Sequence, residues 1–153
     1  ASLRALSDLC RRRGVYHVSD EPYEYFVYGG AKHVSPGSFA GAHEHTISMY
    51  SLSKAYGYAG WRIGYMVYPE ALASAMMKSQ DTILICPTIA AQVGAVAALG
   101  VGRAYCEPHV RELASIREIV RAELSALAPL ATVPAAEGAF YCLLRVQIGR
   151  AHV

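Results

Sequence analysis

The sequence predicts an α/β fold: a mainly parallel sheet flanked by helices, followed by the start of a smaller α+β domain. Three observations predict it. Residues 15–19 and 46–50 are short β-rich runs with little polar alternation, the pattern of strands buried in a parallel sheet. Apolar residues at helical spacing occupy the stretches before and after them. Val110, Leu113, Ile116, Val120, Leu124 and Leu127 then form one apolar stripe on a long charged helix, an element suited to bridging two structural units.

Composition agrees with a packed domain. The 153 residues are 54% hydrophobic and 17% charged, which supplies ample apolar surface for a core. Fourteen basic residues against twelve acidic give a charge of +2, and no basic stripe with interleaved aromatics appears, so no nucleic-acid partner is expected. Cys10, Cys86, Cys106 and Cys142 form neither a CxxC pair nor a dense framework. This spacing speaks against a zinc site or a disulfide scaffold and suits a reduced, cytoplasmic setting.

Each element has its own justification. Leu3, Leu6, Leu9 and Cys10 recur at helical spacing, with Arg11, Arg12 and Arg13 complementing the dipole of the last turn and Gly14 as the stop. The strand at 15–19 follows, and Asp20 falls just past its end, where ligands sit in open α/β sheets. Residues 29–45, rich in Gly, Ser, Pro and His, read as a long surface connection. The strand at 46–50 delivers Ser51, Ser53 and Lys54 to its end, and after a turn at 56–60 a third strand is expected over 61–67. Pro69 and Glu70 open the next helix. Residues 83–102 carry almost no charge over nearly a bilayer's thickness, but Pro87 and Gln92 interrupt them and small residues suit close packing, so no membrane span is expected. Pro129 helps end the long helix, and the strand-like stretches 132–133 and 140–146 begin the smaller domain.

The expected organisation is therefore a large domain over 1–104, a linking helix with the start of a small domain over 105–147, and a tail over 148–153. That last hexapeptide resembles a reading frame of a sequencing adapter, which would make it non-native, and reads otherwise as an ordinary polar tail. The chain begins without Met, already inside a helix, and shows no signal peptide.

The strongest chemical signal lies at residues 51–65, SLSKAYGYAGWRIGY. A lysine in a small, apolar, Gly-bounded turn after a buried strand is expected to be desolvated, which frees its amine to act as nucleophile or base. Ser51, Ser53 and the Arg62 guanidinium make a phosphate cradle beside it, since Arg matches phosphate with paired donors. A phosphate-bearing carbonyl ligand held next to an amine is the description of pyridoxal 5'-phosphate. Taken singly, each residue has a plainer reading: Asp20 as a cap, Tyr23 as a core aromatic, Arg62 as half of a surface ion pair. His43 and His45 form an HxH pair in a loop without a nearby third ligand, so no metal site is expected. Glu24, Tyr25, Phe26 and Tyr28 read equally well as a substrate-side wall or as core packing. Cys86 has no base nearby in sequence and is left as a buried thiol.

In these residues the sequence resembles the class I and II aminotransferases of the pyridoxal-phosphate fold-type I group. Ser51, Ser53, Lys54, Gly60, Arg62 and Gly64 match their SxSK segment with GxRxG around the arginine, and Asp20 and Tyr23 match their DxxY segment. Glu137-Gly138-Ala139-Phe140-Tyr141 is similar to the start of their small-domain sheet. The resemblance covers residues 1–146. It implies a Schiff base between Lys54 and the cofactor, with Lys54 then shuttling the substrate proton. Asp20 would pair with the pyridine nitrogen and keep the ring an electron sink. Tyr23 would donate to the phenolic oxygen, and Ser51, Arg62 and, more weakly, Ser53 would hold the phosphate.

The implied reaction moves an amino group from an L-amino acid to a 2-oxo acid, with a homodimer as the assembly. A β-lyase, an enzyme like aminocyclopropane-carboxylate synthase, or the aminotransferase-like effector domain of a transcription regulator would share these residues. The family's glycine-rich phosphate turn, ring-stacking aromatic and phenolate-binding asparagine are expected before Ala1, and its carboxylate-binding arginine after Val146. Arg145 is no substitute for that arginine, because it lies within the preceding strand. The chain is thus expected to be a fragment, inactive alone.

Overall fold

The computed structural model describes residues 2–147, so the expected tail at 148–153 lies outside the described residues. They divide into two units, one built from 2–24 and 33–102, the other from 25–32 and 103–147.

The first unit opens with helix α1 (Ser2–Arg13). It stops as the sequence predicts: Gly14 turns left-handed at φ 64°, the Gly14 amide donates to the Arg11 carbonyl and the Val15 amide to that of Cys10. Ser7 and Cys10 form its buried face. Leu3, Leu6 and Leu9 remain 44%, 46% and 42% exposed.

Strands β1 (His17–Asp20), β2 (Thr46–Ser51) and β3 (Gly64–Val67) form one sheet in that order. β1 runs parallel to β2, with Asp20 beside Met49, whereas β3 runs antiparallel, with Gly64 opposite Ser51. The third strand therefore starts at Gly64 rather than at residue 61. Ala59–Trp61 form a 3-10 turn, and Arg62 adopts the left-handed conformation at φ 52° and ψ 50°, which breaks the extended run.

Side chains alternate across a sheet, so the register assigns them to two faces. His17, Ser19, Thr46, Ser48 and Tyr50 share one face, and Val18, Asp20, Ile47, Met49 and Ser51 share the other. The polar face is the covered one: His17, Thr46 and Ser48 are buried, while Val18 on the opposite face is 56% exposed. The segment over the polar face contains 3-10 turns at Pro36–Ser38 and Ala42–Glu44.

Helix α2 (Leu52–Ala55) leaves β2 directly. Beyond β3, Pro69 caps a 3-10 turn at Glu70–Leu72, which leads into α3 (Ala73–Ile83). Helix α4 (Ile89–Val101) starts at Thr88, whose hydroxyl accepts from the Ala91 amide. The apolar run 83–102 is thus split in two. Among the described residues no single helix is long and apolar enough to cross a membrane.

In the second unit, helix α5 (Arg103–Ser125) carries the predicted apolar stripe from Val110 to Leu124 and starts about two turns before it, while Leu127 lies beyond its end. β4 (Ala131–Thr132) pairs antiparallel with β5 (Arg145–Val146). The strand expected over 140–146 survives only at its end. Ala139 is left-handed at φ 59° and donates its amide to the Phe26 carbonyl, and Gly138 bridges Val27, so this stretch turns around residues 26–28. Phe26 and Tyr28 are buried there, Phe26 edge-on to Phe140 and Tyr28 under the Arg117 guanidinium. Of the two readings of these aromatics, core packing is the one observed. Cys10 and Cys106 are buried thiols, whereas Cys86 and Cys142 are exposed, which corrects the expectation of a buried Cys86.

Candidate functional site

The functional candidates gather at one edge of the first unit's sheet. Asp20 ends β1 and Ser51 ends β2, on the same face, and the Glu21 amide donates to the Met49 carbonyl at 2.8 Å to fix the first against the second. Because β3 is antiparallel, its first residue, Gly64, reaches the same edge.

Leu52 clamps the loop between Ser51 and Gly64. It is 2% exposed, its amide donates to the Ile63 carbonyl at 3.3 Å, and its own carbonyl accepts from the Tyr56 and Tyr58 amides at 3.2 Å. The clamp brings the turn bearing Arg62 back beside the turn bearing Lys54. Gly64 makes the approach feasible: a Cβ there would lie 2.5 Å from the Tyr50 carbonyl oxygen.

The donors are arranged for an anion. Ser51 Oγ accepts the Ser53 amide at 3.1 Å as the cap of α2, which leaves its own proton available to donate. Arg62 is exposed and spends one N–H on the Ala59 carbonyl at 2.8 Å. Its guanidinium has further N–H donors to offer. Tyr58 and Trp61 stack at 5.2 Å and rest on Gly94 of α4, where the Tyr58 hydroxyl donates to the Gly94 carbonyl at 3.4 Å. This platform supports the Arg62 turn from below.

Ser53 and Tyr23 are half-buried. Lys54 is exposed, so the desolvation expected of it does not hold in this chain. The physical reason is position: Lys54 lies in a short exposed helix with Leu52 and Ala55 turned inward in its place.

Sequence reasoning missed Glu21. Its side chain is 3% exposed, and it accepts from Ser35 Oγ at 2.9 Å and lies 2.8 Å from His33 Nε2. Ser35 and Tyr50 hydroxyls meet at 3.1 Å, and Tyr50 stacks on Tyr65. Alternation along β1 was the signal available, since it turns Glu21 away from the face that holds Asp20. Burial pushes the neighbouring Glu24 carboxyl above its usual range; His33 draws it back and the Glu21 charge adds to the rise.

The histidine pair takes no metal-like arrangement. His45 Nε2 lies 3.1 Å from both the hydroxyl and the carbonyl of Ser7. Among the described residues no three His, Cys, Asp or Glu side chains converge on a common point.

The family model described as aminotransferase class I and II matches residues 1–148. The chain belongs to this family. An aromatic aminotransferase of Arabidopsis thaliana is 36% identical over 152 residues, covering 96% of this chain and 36% of the relative. An aspartate aminotransferase of Pyrococcus abyssi is 32% identical over 147 residues, covering 95% and 37%. Among solved structures, a double mutant of the Thermus thermophilus aspartate aminotransferase superposes with a TM-score of 0.84 at 34% identity, covering 93% of this chain and 37% of that one. The fold is that of the fold-type I aminotransferases. The chain spans 36% of the length of the Arabidopsis relative.

Proposed function

We propose that the full-length protein is a pyridoxal-phosphate-dependent aminotransferase that moves an amino group from an L-amino acid to a 2-oxo acid. The observation that carries the proposal is the convergence of Asp20, Ser51, Lys54 and Arg62 on one sheet edge through the β1–β2–β3 register and the Leu52 clamp.

The donor set fits the cofactor. Arg62 and the Ser51 hydroxyl supply a cation and a donor for a phosphate, with Ser53 beside them. Asp20, on the same face as Ser51, would supply the anion to hold a proton on a ring nitrogen. Tyr23 would donate to the phenolic oxygen, and Lys54 would supply the primary amine for the covalent link. When bound, the cofactor supplies an electron sink for the charge that develops at the substrate α-carbon. The free Lys54 amine would carry the proton to and from that carbon.

In the full-length protein we assign residues 1–104 to the large cofactor-binding domain and 105–147 to the linking helix and the start of the small domain. A homodimer in the cytoplasm is the assembly and setting this reading carries, and the thiols are compatible with it.

The test is Lys54→Ala in the full-length protein incubated with pyridoxal phosphate. The wild type is expected to give a visible absorbance and a borohydride-reducible adduct, and the variant neither. A reducible adduct retained in the variant refutes the assignment.

A further inference from the structure

Two acids stand side by side at the end of β1, Asp20 and Glu21, and only one can face the site. Alternation puts adjacent residues on opposite faces, and a slip of one residue would exchange them. Asp20 is exposed on the face shared with Ser51, whereas Glu21 is turned into the covered polar face with its side chain 3% exposed.

A carboxylate buried to that degree persists only with partners. Glu21 has two, from a segment distant in sequence: Oε1 accepts from Ser35 Oγ at 2.9 Å, and Oε2 lies 2.8 Å from His33 Nε2. Ser35 Oγ also meets the Tyr50 hydroxyl at 3.1 Å, and Tyr50 stacks on Tyr65 across the β2–β3 pair at 4.9 Å. The chain of contacts therefore runs from the end of β1 through residues 33–35 to β2 and β3, one residue from Ser51 and one from Gly64.

We propose that Glu21 is a positioning residue: its buried carboxylate, held by Ser35 and His33 behind the sheet, locks the register of β1 against β2 and so presents Asp20, and not its neighbour, to the cofactor edge. The inference rests on the aminotransferase reading of Asp20 and Lys54. The Glu21 amide, donating to Met49, holds the backbone at the same point, so side chain and main chain enforce one register.

The experiment uses the full-length protein and the variants Glu21→Leu, Glu21→Gln and Ser35→Ala. Hydrogen exchange without added cofactor is expected to rise in Glu21→Leu at the amides of residues 20, 21, 23 and 24 and of 33–35 and to stay unchanged elsewhere. With pyridoxal phosphate bound, Glu21→Leu is expected to keep the reducible adduct at Lys54 and to lose roughly ten- to a hundredfold in kcat, the effect of a misplaced catalytic group, at little change in KM. Glu21→Gln, which retains an acceptor for Ser35 and the side-chain shape, is expected to recover most of that loss. If Glu21→Leu does not fold, Ser35→Ala carries the test, with an expected loss of about two- to tenfold, the worth of one hydrogen bond. Wild-type kcat and local exchange in Glu21→Leu, or in Ser35→Ala where the former does not fold, overturn the proposal. Absence of the Lys54 adduct in the wild type is read separately and refutes the reading beneath it.

Discussion

Glu24 shows how a single group near the site responds to its surroundings. Its folded-state pKa lies above the ordinary value of 4.5, chiefly because burial disfavours the charge. The folded protein thus binds this proton more tightly than the unfolded chain does. The ionised carboxyl subtracts stability at neutral pH, and the penalty is relieved as pH falls through the raised folded midpoint towards 4.5. Glu24→Gln is therefore expected to raise the unfolding midpoint at pH 7 and to lose that advantage below the unfolded value. Equal gains at both pH values, measured by denaturant titration, would contradict this. The residues that carry chemistry were legible at this scale because SxSK, RxG and DxxY are local patterns. Glu21 was not, since its partners His33 and Ser35 lie in a loop whose path no periodicity encodes.

At the scale of elements, α1 with its glycine stop, β2 and the long α5 follow directly from period and punctuation. Two departures share a feature. The third strand starts later than its composition suggests and the last survives only at residues 145–146, each beyond a residue, Arg62 or Ala139, whose left-handed backbone its side chain does not advertise. Exposure at Lys54 also escaped the sequence: a turn that reads as apolar can direct its apolar members inward and its lysine out. The β2–β3 contact yields the sharpest element-level expectation. Gly64→Ala would force a Cβ to 2.5 Å from the Tyr50 carbonyl, and backbone cannot give way as a flexible side chain does. A loss of about 1–3 kcal/mol in unfolding free energy is expected, as for other overpacked sites. Cofactor retention should fall with it, because the displaced strand carries the Arg62 turn; unchanged stability would show that the approach is looser than described.

For the molecule as a whole, the partition of the sheet faces matters most. The polar face of β1 and β2 is covered within this chain, while Val18, Met66, Met77, Val93 and Val96 remain 43–73% exposed. Exposed apolar area of this extent favours association. The 153-residue chain produced by itself is expected to self-associate, as light scattering would reveal, and to show no transamination; a monodisperse, active chain would contradict both the faces and the proposed incompleteness. Cofactor affinity can be followed without any turnover. The sequence contains one tryptophan, and it is Trp61, half exposed, stacked on Tyr58 and next in the chain to the arginine proposed to grip the phosphate. That stack supplies a native fluorophore at the anion site: occupancy should quench its emission, and light absorbed by the indole should reappear as emission from the bound ligand.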